Sequence, residues 1–235
     1  MKKFIFILIL TSFNLIFSQN EGATPYPSSF FFDSAVRDIN NVLRNTSKNN
    51  EGNYIGSPYL EKEFSQGILY DSIQNKSYSV LLRYNIYNDL FEVKKSENSI
   101  FNLAKRSNFT FNINERKFVL LDYFEEYNNA GYFEVLLDGQ NMSLYKKYKR
   151  ILQPPVKAQS SYEKDKPAKF INSESLFYKS GNSNKLNKLP KKKKELYTIF
   201  KKKIKEVENY ISKNKLNIKK ESDLIKIIEF YNALN

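Results

Sequence analysis

From Gly56 to about Leu152, apolar residues recur at every second position, a period that suits strands with one buried face and does not suit long packed helices. Tyr78, Val80, Leu82, Tyr84 and Ile86 fall on one side of a strand, with Leu81, Arg83, Asn85 and Tyr87 on the other. Asn88-Asp89 offers a turn before Phe91 and Val93, and the alternation resumes at Phe109, Phe111 and Ile113. Asn114-Glu115-Arg116 then turns the chain into Lys117 to Tyr123, where Phe118 to Leu121 is apolar on both faces and so belongs in the middle of a sheet. Tyr132 to Leu137 and Gln140 to Lys149 flank Asp138-Gly139, a dipeptide suited to the two positive φ angles of a type I′ hairpin turn. No helix of crossover length separates these strands, so the pairing expected is antiparallel.

The flanks have other periods. Phe32, Val36, Ile39 and Leu43 predict an N-terminal helix with Ser29 as its cap, and the polar stretch from Thr46 to Asn53 reads as a loop. Gln153 to Ala168, with three prolines, reads as a long exposed loop, followed by a hairpin around Ser180-Gly181-Asn182 that ends at Pro190. Beyond it, Leu196, Phe200, Ile204, Val207 and Ile211 form one helical stripe, and Leu224, Ile227, Ile228, Tyr231 and Leu234 form a second. The expectation is an α+β fold: an antiparallel sheet or partly open barrel with an N-terminal helix and a C-terminal αα-hairpin. Its segments would be a leader over 1–18, a helix and loop over 19–55, a β domain over 56–190 and a basic helical hairpin over 191–235 packed on that domain.

The leader is read from Lys2 and Lys3, an apolar run from Phe4 to Phe17, and Ser18 before Gln19. This is the pattern of a secretory signal peptide cleaved after Ser18, and the run is short for a membrane span. Cleavage would leave 217 residues with no transmembrane span, enough for one compact domain burying about 70% of its unfolded surface. With no cysteine anywhere, that domain would rely on its core alone in an oxidising compartment. Abundant Lys, Asn, Ile, Phe and Tyr, including 28 Asn, point to an A/T-rich bacterial genome and a periplasmic or extracellular destination.

Charge is unevenly spread. The precursor carries +13, which falls to +11 once the two lysines of the leader are gone, and residues 181–235 hold 15 Lys against six acids. That segment therefore supplies +9 and the rest of the mature chain only +2. Lys194, Lys201, Lys202 and Lys205 are the candidate contacts for an anionic polysaccharide or lipid surface, or for another envelope protein. The competing reading is a solvated helical face in a chain whose genome inflates lysine. Residues 181–235 contain no arginine, the usual carrier of bidentate base readout, so sequence-specific nucleic-acid binding is not expected.

The chemistry is narrowed by what is missing. With no His and no Cys, Ser-His-Asp and Cys-His nucleophiles and the His/Cys zinc sites are ruled out, and no glycine-rich phosphate loop can be built from seven scattered glycines. No cofactor is expected. Ser-x-x-Lys pairs occur at Ser143, Ser161 and Ser212, but without the remaining motifs of a penicillin-binding site. Asp122, Glu125 and Glu126 are the densest acidic group in the β region and the candidates for a carboxylate-based, glycan-directed hydrolase.

Gly56-Ser57-Pro58-Tyr59-Leu60, then Phe64 and Gly67, then Leu82-Arg83-Tyr84-Asn85, resemble an uncharacterised family of exported bacterial proteins over about Gly56 to Tyr231. The resemblance implies a periplasmic or surface protein and no catalytic positions. Arg83, beside Tyr84 and Tyr87, reads as a buried cation-π or strand-pairing residue. The function expected is a non-catalytic binding or structural module, with the hydrolase and the loose lysine-tail binder of anionic polymers as alternatives.

Overall fold

The computed structural model describes residues 54–97, 99–124, 128–160, 162–181, 183 and 185–234. The expected leader and the helix through Phe32 and Leu43 lie outside these residues. Eleven strands form one sheet: β1 Tyr54–Ile55, β2 Ser65–Asp71, β3 Lys76–Asn85, β4 Leu90–Ser96, β5 Ser99–Asn102, β6 Phe109–Ile113, β7 Arg116–Phe124, β8 Asn128–Leu137, β9 Met142–Gln153, β10 Ala168–Ser180 and β11 Asn187–Lys188. Their order is β1-β10-β9-β8-β7-β6-β2-β3-β4-β5, with β11 added on β10. Every pairing is antiparallel except β1 with β10.

This corrects the α+β expectation. Among the described residues strand makes up 48% and helix 18%, in one open sheet whose ends, β1 and β5, do not pair with each other. The strands flanking the expected Gln153–Ala168 loop run longer than the sequence pattern suggests: β9 continues past Lys149 to Gln153, and β10 is unbroken from Ala168 to Ser180, the two pairing over twelve consecutive positions from Lys169↔Gln153 to Ser180↔Met142. Nor do the C-terminal helices form the clear αα-hairpin expected. The tail is α1 Lys193–Thr198, a 3₁₀ turn Lys201–Lys203, α2 Ile204–Lys213 and α3 Glu221–Ala233. The first stripe is broken because Lys201 adopts φ 51°, a left-handed conformation that an α-helix cannot propagate through.

The alternation did place the core. Val80, Leu82, Tyr84 and Ile86 of the β3 stripe are buried, and Phe118 and Val119 on β7 serve opposite faces. The sheet curls strongly: Phe91 on β4 meets Tyr132 on β8 edge-on at 4.9 Å, although four strands lie between them in the sheet. Phe91 also stacks on Phe111 at 4.0 Å, and these rings with Tyr84 and Phe118 fill the concave side. At the other end, Met142 and Leu144 of β9 are covered by Leu196, Phe200, Val207, Leu224, Ile227 and Ile228 from the tail.

The β8–β9 connection departs from the expected turn. Neither Asp138 nor Gly139 has a positive φ, whereas Asn114 and Glu115, between β6 and β7, have φ 49° and 64° and make the double left-handed turn there. Gly139 is needed for a different reason: a Cβ there would lie 2.6 Å from Cγ of Asn232 on α3. Asn232 accepts from the backbone N–H of Asn141 at 2.9 Å and of Met142 at 2.8 Å, and donates to the Met142 carbonyl at 2.9 Å. The loop is shaped by the helix docked on it.

Candidate ligand-binding cleft

The site begins with a divergence of two strands. β8 pairs with β9 only at Glu134↔Lys146, Val135↔Tyr145 and Leu137↔Leu144, with an irregularity at Leu136. The rest of β8 runs with β7, while β9 beyond Lys146 runs with β10. Along the part of β9 that has left β8 opens a cleft of about 340 Å³, walled by Tyr87, Tyr123 and Tyr148 and by Lys147, Lys149, Arg150 and Lys188, with Ser173 and Ser175 on β10.

Asp89 closes one end. Its Oδ1 accepts from the Tyr84 hydroxyl at 2.6 Å, Lys147 Nζ at 2.8 Å and the Tyr132 N–H at 3.3 Å, and its Oδ2 accepts from Lys105 Nζ at 2.7 Å. Burial works to raise this carboxyl's pKa, but the Lys147 and Lys105 ammonium groups and the Tyr84 hydroxyl outweigh it and hold it below the usual carboxylate range. The same contact, with burial as the larger cause, pushes the Tyr84 phenol up. Gly131 gives Lys147 room, since a Cβ there would sit 2.5 Å from Nζ. Asp89 thus ties the β3–β4 turn to β8, β9 and the strand-free segment carrying Lys105.

Beyond that tie the cleft is cationic. Among the described residues lining it, Asp89 is the one carboxylate and it already faces two lysines, and Lys149, Arg150 and Lys188 line it as well. Arg150 donates from Nη2 to the Tyr59 carbonyl at 3.4 Å, yet its Nε is buried with no acceptor. Burial lowers the pKa of this guanidinium, as expected of a cation removed from water without full compensation. Tyr87 is half-exposed, braced edge-on by Phe170 at 5.4 Å, and Ile151 beside it is exposed to a similar degree.

The residues singled out from the sequence lie elsewhere. Lys194, Lys201, Lys202 and Lys205 are all exposed, on α1, the 3₁₀ turn and α2, and none has an ion-pair partner among the described residues. Nearby, Glu195 pairs with Lys192 at 3.3 Å and Glu206 with Lys203 at 4.0 Å, so part of this basic stretch is neutralised locally. Asp122 is exposed on β7, and Glu125 and Glu126 lie outside the described residues. Arg83 does make cation-π contacts, but with the rings of Tyr59 at 3.7 Å and Phe64 at 4.2 Å rather than with Tyr84 or Tyr87. Its guanidinium pairs with the buried Glu92 at 2.6 Å, and Glu92 in turn accepts from Asn85 at 3.1 Å. Tyr59 also bridges to Asn85, so residues from the Gly56–Leu60 and Leu82–Asn85 stretches form one structural clamp. Sequence reasoning missed the cleft cations; the available signal was Lys146-Lys147-Tyr148-Lys149-Arg150, a basic run outside the lysine-rich tail.

Among the described residues no group of three His, Cys, Asp or Glu side chains is placed to hold a metal, and no helix is long and apolar enough to cross a membrane. No protein-family model, no curated protein and no solved structure matches the chain, so the functional argument rests on these residues.

Proposed function

We propose that this chain is an exported, non-catalytic binding module that takes an anionic partner into the cleft along β9. The observation that carries this is Arg150, whose Nε is buried with no acceptor among the described residues, while the carboxylate of the described lining, Asp89, is already held by two lysines. Hydrolysis by paired carboxylates needs two carboxyl groups about 5–9.5 Å apart across the scissile bond, one free to act as an acid. Asp89 has no such neighbour among the described lining residues, and its depressed pKa makes it a poor proton donor. Export is supported by the charged, apolar and polar succession of the first nineteen residues, and it places the binder in the periplasm or outside the cell.

The test is a calorimetric titration of the protein with polyuronate, polyphosphate and polyglutamate at low and physiological salt, repeated with Lys149→Glu/Lys188→Glu. Binding to at least one polyanion, weakened by salt and by the double charge reversal, is expected. Absence of binding to all three would overturn the reading, as would release of reducing ends from the polyuronate that Asp89→Asn abolishes. Fractionation of the expressing cell checks the compartment, and retention in the cytoplasm would sink the export claim.

A further inference from the structure

Resting on that reading, we infer that Arg150 is the residue that anchors the ligand, and that the ligand is an acidic glycan whose carboxylate meets Arg150 while a sugar ring lies on Tyr87. Arg150 differs from the other cations of the cleft: its Nε is buried and lacks an acceptor, a state that leaves a donor's desolvation uncompensated. A carboxylate entering the cleft compensates this poorly solvated cation through the part of its guanidinium that lines the cleft, and a guanidinium takes carboxylates with two parallel hydrogen bonds where an ammonium offers a point charge. Lys147 cannot take this role because Asp89 and the Tyr132 carbonyl already engage it at 2.8 and 3.1 Å.

The walls select the body of the ligand. Tyr87 and Ile151 stand 47% and 48% exposed in the same cleft as Arg150, so an occupant that fits must offer apolar surface as well as charge. A bare polyphosphate has no such surface, whereas a pyranose ring presents C–H groups to an aromatic face and carries its carboxylate on the ring edge. The hydroxyls of Ser173 and Ser175 on β10 provide neutral partners for sugar hydroxyls. A volume near 340 Å³ lies at the low end for small-ligand sites, about 300–1,000 Å³, and suits a short stretch of chain rather than a folded partner.

The experiment compares oligogalacturonate, its methyl-esterified form and polyphosphate by calorimetry, on the wild-type protein and on Arg150→Gln, Arg150→Lys and Tyr87→Ala, with circular dichroism confirming that each variant is folded. Oligogalacturonate binding is expected to fall about tenfold or more in Arg150→Gln, to be partly restored in Arg150→Lys, and to weaken several-fold in Tyr87→Ala, with esterification costing as much as Arg150→Gln. Affinity unchanged in Arg150→Gln would remove Arg150 as the anchor. Polyphosphate bound as tightly as oligogalacturonate, with Tyr87→Ala silent, would overturn the glycan assignment while leaving an anion-binding cleft. Loss of all binding in wild-type protein would instead overturn the function proposed above. If Arg150→Gln fails to fold, the esterified ligand and Tyr87→Ala still decide: unchanged binding in both refutes the inference.

Discussion

The two ends of this sheet solve the problem of burying one face in opposite ways. From β2 to β7 and the first half of β8 the sheet covers itself, curling until Phe91, Phe111 and Tyr132 meet, and it locks the curl with ion pairs at the partly buried Asp89 and the buried Glu92. From β8 to β10 the sheet is covered by helices, its core is mostly aliphatic, and the polar ties between the layers include the Asn232 carboxamide and the Lys146–Glu221 ion pair at 2.5 Å. A self-covered region needs specific polar locks because aromatic burial alone is non-directional, whereas a helix docks by fitting its stripe to the strands beneath. The cleft lies at the seam, where β8 follows the first region and β9 the second.

The largest effect that would break this contrast is expected from Phe91→Ala, which removes a fully buried ring from the middle of the curl and should cost about 3–5 kcal/mol in urea unfolding. Glu92→Gln should cost about 3 kcal/mol, because it leaves the Arg83 guanidinium, itself mostly buried, without its anion. A loss near zero would show that the Tyr59 and Phe64 rings suffice for that cation. Asp89→Asn should cost about 2 kcal/mol at neutral pH, and it also sharpens the comparison through pH. The folded-state pKa of Asp89 is depressed, so its contribution is present above the ordinary carboxylate pKa of about 4 and is lost as pH falls through the lower folded value. Unfolding midpoints followed from pH 6 to pH 2 should therefore fall less steeply in the variant, and parallel curves would show that Asp89 does not govern the acid limb.

Asn232→Ala should cost about 1–2 kcal/mol and act on the other region, with amide exchange accelerating in α3 and the 138–141 loop while β2 to β7 keep their protection. Uniform acceleration would mean that the two ends open as one unit. The smallest effect on folding is expected from charge reversal at Lys194, Lys201, Lys202 and Lys205, which are exposed and without ion pairs among the described residues. Their unfolding midpoint should be unchanged, and only sedimentation with anionic vesicles should weaken. A shifted midpoint would assign these lysines to the packing of the helical end.

Local patterning made the self-covered region readable. The β3 stripe and the two-sided β7 run appear in the sequence because strand burial repeats every second residue whatever the partner strand is. Arg83 was recognisable as a buried cation, yet its partners Tyr59, Phe64 and Glu92 come from separate segments that only the curl brings together. The length of β9 and β10 was hidden by the prolines and charges around their tip, and by the polar middle of β10, Asn172-Ser173-Glu174-Ser175, which pairs with β9 alone. The cleft was not legible because it is a property of register: it exists where β8 and β9 stop pairing, and no residue in either strand announces that point. The lysine tail drew attention through composition, while Arg150, the cation with an unmet donor, sits in the shorter basic run Lys146-Lys147-Tyr148-Lys149-Arg150 inside a strand.

The order of the strands also bears on how the chain reaches this structure. β2 to β5 form one run of sequential neighbours and β6 to β10 another, so each can assemble through short hairpin closures, and the runs meet through the pairing of β2 with β6. That joint is close-packed at Gly67, where a Cβ would lie 2.7 Å from the Asn112 carbonyl oxygen and 2.8 Å from a Leu82 methyl carbon. On an emerging chain β2 waits with an open edge until β6 arrives, about forty residues later by the printed ranges, and closing that longer loop is the slower event because its entropy must be lost before the contact forms. Gly67→Ala should therefore lower the refolding rate more than it raises the unfolding rate, which makes the β2–β6 seam, rather than either core, the step that times the fold.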